Sequence, residues 1–260
     1  MNPKKSLGQN FLIDKNIIKK IVSLVKIKNK NIIEIGPGKG ALTDEILKQF
    51  PKSLFLIEKD EKLSKGLELK YSQNKQVKVI TGDVLKLDLE RITLKNSIIF
   101  GNLPYNISSQ ILVKLIKFKT WTPNFSDLVL MFQKELANKI TGKFNTKHYG
   151  RLSILTSYRL NIIQKFLISN NCFFPKPKVI SQVIHFQPKK EAELSLKNTS
   201  NREKITQFFF SNKRKMVNKK IKNILSESEI KKIRELKLNL RPSNLKPEVY
   251  FKITQIFEKK

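Results

Sequence analysis

The sequence predicts a doubly wound α/β domain on a mostly parallel sheet, followed by a small, strongly basic helical domain. Three observations carry that expectation. From Lys30 onward short apolar runs alternate with helix-length stretches or turns, the signature of β-α-β units. The first four runs are apolar at both parities, as strands covered by helices on both faces must be. Beyond Pro188 the pattern turns helical and the charge denser. With 260 residues, 40% of them hydrophobic, the chain can bury a full core in one large and one small domain.

The elements follow in order. Apolar positions 17, 18, 21, 22, 24 and 25 mark a helix face packed on a core rather than on a membrane surface. Strands are expected at Asn31–Ile35, Ser53–Ile57, Val77–Thr81, Ser97–Gly101 and Leu128–Phe132. Two further runs, Ile162–Ile168 and Val179–Phe186, flank the turn-rich Phe173-Phe-Pro-Lys-Pro-Lys and predict an antiparallel addition at one edge. The large domain is expected to occupy 1–187. A polar connector through Asn201 then leads to helices at about 202–225, 227–236 and 247–258 in a domain of 188–260.

The chain holds 52 Lys+Arg against 21 Asp+Glu, a net charge of +31. Such a field draws in polyanions, and nucleic acid is the natural partner, although a proteome rich in Lys, Asn and Ile would give the same balance. Residues 188–260 carry +12 of that charge, which locates the expected polyanion surface there. Cys172 is the only cysteine, so no intramolecular disulfide is possible and a reducing cytoplasm fits. The N-terminus lacks an apolar signal core and no stretch approaches 18 apolar residues, so neither export nor membrane insertion is expected. His148 and His185 have no neighbours that suggest a ligand set or a base, and Cys172 reads as a small core residue.

Glu34-Ile-Gly36-Pro-Gly38-Lys-Gly40 follows the first strand and opens a helix. Glycines at alternate positions let the backbone turn tightly and approach a ligand. The dinucleotide fingerprint places its third glycine three residues after the second; here it follows after two, so a ligand without a pyrophosphate is expected. Glu58, at the end of the second strand, is suited to accept both hydroxyl hydrogens of a ribose. Asp83, in Gly82-Asp-Val-Leu after the third, is suited to accept from an adenine amine. Either acid alone could equally cap a helix or sit in solvent; with the glycine loop they favour a nucleoside.

After the fourth strand comes Gly101-Asn102-Leu103-Pro104-Tyr105-Asn106-Ile-Ser. The lone pair of an adenine amine is delocalised into the ring and is a poor nucleophile. The Asn102 side-chain oxygen and a backbone carbonyl before or at Pro104 would each accept one amine hydrogen and aim the lone pair at a methyl sulfonium, with no strong base. Tyr105 offers a stacking face, worth about 1–3 kcal/mol per base. The bland alternative is a plain turn with a buried Tyr.

Together these segments resemble the ribosomal RNA adenine N6,N6-dimethyltransferase family, in particular the KsgA type that modifies small-subunit RNA. The likeness is carried by Lys5-Ser-Leu-Gly-Gln-Asn-Phe-Leu-Ile-Asp14, Glu34–Gly40, Glu58, Gly82-Asp-Val84, Gly101–Ser108, Tyr149-Gly-Arg-Leu-Ser153 and Phe173-Phe-Pro-Lys-Pro-Lys-Val-Ile-Ser181. It implies a Rossmann-like class I methyltransferase domain with a small helical domain, acting as a monomer. The implied reaction uses S-adenosyl-L-methionine to place two methyl groups on N6 of each of two adjacent adenosines in a hairpin near the 3′ end of 16S rRNA, within the small subunit or its precursor. By position, the resemblance puts Asn10, Leu12, Gly36, Gly38, Glu58, Asp83 and Asn102 at the cofactor. It puts Asn102, the Leu103–Pro104 backbone and Tyr105 at the target amine, with Phe173, two before Pro175, as the second stacking face. Lys213, Arg214, Lys215, Lys219 and Lys222 resemble the family's basic C-terminal helix and would contact phosphate, a solvated basic face being the alternative. Two other functions remain open at this point: a large-subunit (23S) adenine methyltransferase of the antibiotic-resistance type, and a non-catalytic RNA-binding assembly factor.

Overall fold

The computed structural model describes residues 9–190 and 198–259. Lys5–Gly8 of the N-terminal motif, and most of the polar connector, lie outside the described residues. By contacts the described residues divide into two compact units: those up to Ala137 together with Ile162–Pro188, and Asn138–Asn161 together with those from Lys189 onward.

The first unit is built on a seven-stranded sheet. Its strands are β2 (Asn31–Ile35), β3 (Ser53–Glu58), β4 (Val77–Thr81), β5 (Ser97–Asn102), β6 (Phe125–Gln133), β7 (Leu160–Ile168) and β9 (Ser181–Pro188), in the order β4-β3-β2-β5-β6-β9-β7. β4 through β6 pair in parallel and β9 runs antiparallel to β6, so the expected antiparallel addition is present at that edge. A two-stranded ribbon pairs β1 (Phe11–Leu12) with β8 (Phe173–Phe174). The central strands β2 and β5 are buried at nearly every residue, because helices cover both faces. β4 departs from the expectation of burial at both parities. It is the sheet edge, with one neighbour, and none of its residues is fully buried.

Helices α1 (Lys15–Val22), α2 (Ala41–Leu47), α3 (Glu61–Lys70), α4 (Leu89–Ile92) and α5 (Ser108–Ile116) connect these strands. Asp14 starts α1 by accepting the Asn16 and Ile17 N–H groups at 2.9 and 3.0 Å, and Asp60 starts α3 in the same way. α1 buries Ile18, Ile21 and Val22; its apolar face is core. The chain runs from β2 outward to β4 and then crosses back to β5 on the other side of β2. The carboxyl ends of β2 and β5 are therefore the topological switch point, where open α/β sheets leave a crevice.

The second unit carries α7 (Arg151–Arg159), α8 (Thr199–Phe210), α9 (Asn218–Lys222), α10 (Glu227–Lys231) and α11 (Pro247–Phe257); α6 (Lys134–Ile140) straddles the division. Its core gathers Tyr149, Tyr158, Phe209, Ile221, Tyr250 and Phe251. Division into 1–187 and 188–260 meets the observed one at Pro188 but differs at Asn138–Asn161. That segment clusters with the C-terminal helices because Tyr149, Ile154 and Tyr158 enter their core, and the Tyr149 hydroxyl donates to the Leu245 carbonyl at 2.8 Å.

The helix expected over 202–225 is two helices. α8 ends at Phe210, and Lys213–Lys215 lie in a turn rather than on a helix, closed by the Lys215 N–H on the Asn212 carbonyl at 3.0 Å. Val217 is fully buried and its N–H bonds the Leu240 carbonyl at 2.9 Å, which diverts the chain from the helical path. Of the five basic residues expected on one helix, Lys219 and Lys222 stand on α9, and Lys213, Arg214 and Lys215 precede it.

Candidate active site

The register of the sheet brings the sequence's polar motifs to one edge. Ile35 lies opposite Gly101 and Ile57, and Glu58 opposite Thr81. The glycine loop, Glu58, Asp83 and the Asn102 segment thus leave adjacent strands at their carboxyl ends. They surround a cavity of about 710 Å³. Of the residues expected at the site, Asn10, Leu12, Gly36, Gly38, Glu58, Asp83, Asn102, Leu103, Pro104 and Tyr105 all line it.

The loop needs its glycines. Gly38 has φ +61°, and a Cβ there would sit 2.9 Å from the Phe11 ring; at Gly36, with φ +69°, it would sit 3.4 Å from the Asn102 carbonyl oxygen. Glu58 ties the loop down. Its Oε2 accepts the Gly38 N–H at 3.1 Å and its Oε1 the Asp60 N–H at 2.9 Å. Burial raises the Glu58 carboxyl above its ordinary value, and these backbone donors oppose the rise. Each oxygen keeps acceptor capacity toward the cavity. Asp83 accepts from Leu85 N–H and from Lys59 Nζ, both at 2.9 Å. The Lys59 contact leads in holding its carboxyl below the usual range.

Asn102 is oriented from behind. Its Nδ2 donates to the Asn10 carbonyl at 3.0 Å, and among the described residues no donor is taken up by its Oδ1. Leu103 is buried, and its side chain lies close to Gly101 and Leu130 of the adjoining strands. The Tyr105 hydroxyl is paired with Ser181 Oγ at 2.7 Å, which fixes the ring, and burial raises its pKa. The ribbon of β1 and β8 places Phe11 over the loop, with Lys39 Nζ 5.1 Å from the Phe11 ring centroid.

Two groups of expected site residues lie elsewhere. Phe173, expected as a stacking face, is 3% exposed and packs in the core of the first unit with Leu12 and Cys172, whereas Phe174 is 56% exposed. Pairing of Leu12 with Phe173 in the ribbon turns that ring inward. Lys213, Arg214, Lys215, Lys219 and Lys222 belong to the second unit, and the cavity wall contains none of them.

Sequence reasoning missed Glu34. It is 1% exposed, lines the cavity and accepts the Thr43 hydroxyl at 2.7 Å. Burial pushes its carboxyl up to about 8, against the Thr43 hydrogen bond. An ionisable residue inside an apolar strand run was the available signal. Nothing in the sequence pointed to Ser181 as the partner of Tyr105, 76 residues away. His185 bonds Asp127 at 2.8 Å across β9 and β6, and Cys172 is a buried thiol whose pKa burial raises.

The sequence matches the family model for ribosomal RNA adenine dimethylase over residues 1–259. It is 46% identical to the ribosomal RNA small subunit methyltransferase A of Pelagibacter ubique over 98% of this chain and 97% of that protein. It is 40% identical to the protein of that name from Malacoplasma penetrans over 96% and 90% of the two chains. Among solved structures it is similar to a dimethyladenosine transferase from Plasmodium falciparum, with a TM-score of 0.79 and 26% identity over 96% of this chain and 98% of that one. The 23S rRNA methyltransferase ErmE shares the fold, with a TM-score of 0.70 at 20% identity over 96% and 100% of the chains.

Proposed function

The chain belongs to the ribosomal RNA adenine dimethylase family, and from that premise we propose that it dimethylates N6 of two adjacent adenosines in the 3′-terminal hairpin of small-subunit rRNA. The observation that carries this reading is the convergence of Asn102, tied by its amide nitrogen to the Asn10 carbonyl, with Glu58, Asp83 and the glycine loop around one cavity at the sheet edge. The names of the curated relatives support the small subunit as substrate. The substrate particle is the small subunit or its precursor, met in the cytoplasm by a monomer. Among the described residues no helix is long and apolar enough to cross a membrane.

The cavity suits S-adenosyl-L-methionine on two grounds. Gly36 and Gly38 leave a cradle that a Cβ would fill or crowd, and the donor and acceptor set of Asn10, Glu58, Asp83 and Asn102 matches a nucleoside carrying a polar tail. When bound, the cofactor supplies an electrophilic methyl group. Glu58 would accept the ribose hydroxyls, Asp83 the adenine amine, and the Asn10 and Leu12 segment would close the cavity. Asn102 Oδ1 and the Leu103 or Pro104 carbonyl would accept the two hydrogens of the target amine and hold its lone pair toward the methyl group. Tyr105, fixed by Ser181, would stack on the flipped base. Phe173 contributes by packing the ribbon. The basic turn and α9 of the second unit would contact phosphate.

The test is the transfer of labelled methyl groups from S-adenosylmethionine to purified ribosomal subunits. Label in small-subunit RNA, recovered as dimethyladenosine, is expected. Label in large-subunit RNA alone would favour the resistance-type activity, and no label in either would favour a non-catalytic assembly factor.

A further inference from the structure

Lys114 stands in the last turn of α5, the helix that begins directly after the Asn102–Ile107 segment. Its ammonium donates to two carbonyls of the turn that follows β4, Leu85 at 2.7 Å and Leu87 at 2.5 Å. The N–H groups of the same turn are taken by Asp83: its Oδ1 accepts from Leu85 at 2.9 Å, and its carbonyl accepts from Lys86 at 2.8 Å and Leu87 at 3.2 Å. Asp83 thus satisfies the donor side of the turn, while on its acceptor side Lys114 takes the Leu85 carbonyl and shares the Leu87 carbonyl with the Leu89 N–H at 3.0 Å. A second tie lies nearby, where Glu90 of α4 accepts the Lys119 and Thr120 N–H groups at 2.8 and 2.7 Å, just beyond α5. Burial depresses the Lys114 pKa, while Asp88 and Asp83 oppose the shift; the ammonium is drawn from water toward these carbonyls. A long flexible side chain fixed on two carbonyls of another loop gives up rotamer freedom, and what it gains here is the placement of one turn.

We propose that Lys114 is a positioning residue that sets the base specificity of the nucleoside pocket, holding the Asp83 turn against α5 so that the Asp83 carboxylate stays within reach of an adenine amine. The inference rests on the reading of Asp83 as the adenine acceptor. If it holds, removing the ammonium loosens recognition of the base while the glycine loop and Glu58 still hold the rest of the ligand.

The experiment is calorimetric titration of the full chain with S-adenosylhomocysteine and with S-inosylhomocysteine, in which a carbonyl oxygen replaces the amine. The wild-type chain is expected to prefer the adenosyl form by about tenfold or more, since a carboxylate facing a carbonyl loses a hydrogen bond and meets repulsion. In Lys114→Met the preference should fall to within about threefold, mainly through weaker adenosyl binding. Lys114→Gln, which retains a donor, should give an intermediate ratio and keeps the test readable if the Met variant does not fold. An unchanged ratio in both variants, even with both affinities or the thermal stability lowered, would make Lys114 a merely structural tie and overturn the inference. Asp83→Asn separates the two readings. If the wild type does not discriminate, or Asp83→Asn leaves its ratio unaltered, the assignment of Asp83 fails and the Lys114 role with it. Discrimination lost in Asp83→Asn but kept in both Lys114 variants overturns only the latter.

Discussion

Asn102 is held by its amide nitrogen, so the role proposed for its oxygen is directional rather than basic. Asn102→Ala is expected to lower methylation by at least about a hundredfold, the scale for losing a preorganised polar contact in a transition state. Its affinity for small-subunit RNA should stay within a few fold, because phosphate contacts dominate affinity; filter binding and methyl transfer on the same preparation check both. Glu34 makes a different prediction. Its folded carboxyl is raised from 4.5 to about 8 by burial, so the fold favours the protonated form. Its stabilising contribution is full below the unfolded value and is lost as pH rises toward about 8. The difference in unfolding free energy, wild type minus Glu34→Gln, should therefore shrink between about pH 5 and about pH 9, measured by denaturant titration. A difference that grew with pH would mean that Glu34 is ionised in the fold.

At the scale of elements, the glycine loop and the basic turn are the exposed risks. Gly38→Ala would strain a backbone at φ +61° and press a methyl group on Phe11. A loss of about 1–3 kcal/mol in stability is expected, together with weaker binding of S-adenosylhomocysteine, read by thermal unfolding with and without that ligand. Replacing Lys213, Arg214 and Lys215 together, by contrast, should leave the cofactor analogue's affinity unchanged while reducing the salt slope of RNA binding by up to about three. Because these residues sit in a turn and not on a helix, their loss should cost no helical structure by circular dichroism. An unaltered salt slope would return them to a solvated surface role.

For the whole molecule, the two cores have separate memberships and the cavity is lined by the first unit alone. Phe209→Ala, in the second core, is expected to cost about 3–5 kcal/mol and to leave S-adenosylhomocysteine affinity intact at temperatures where the chain stays folded. The sequence by itself determined the five parallel strands and the motifs at their ends, though not the β1–β8 ribbon, since strands covered on both faces read as continuous apolar runs and a tight loop close to a neighbouring backbone demands glycine. It also marked Glu58, Asp83, Asn102 and Tyr105 as candidates, because polar residues gathered at the ends of successive apolar strands point to one sheet edge, and all four line the cavity there. Only the tertiary structure decided that Asn138–Asn161 joins the C-terminal helices, that Phe173 faces the core and that Lys213–Lys215 form a turn. It alone revealed the contacts of Asn102 with Asn10, Tyr105 with Ser181 and Lys114 with the Asp83 turn. Periodicity records which face of an element is apolar, but not which distant residue that face or a polar side chain will meet. Those partners lie 92, 76 and 29 residues apart and are fixed by sheet order, which no local pattern encodes.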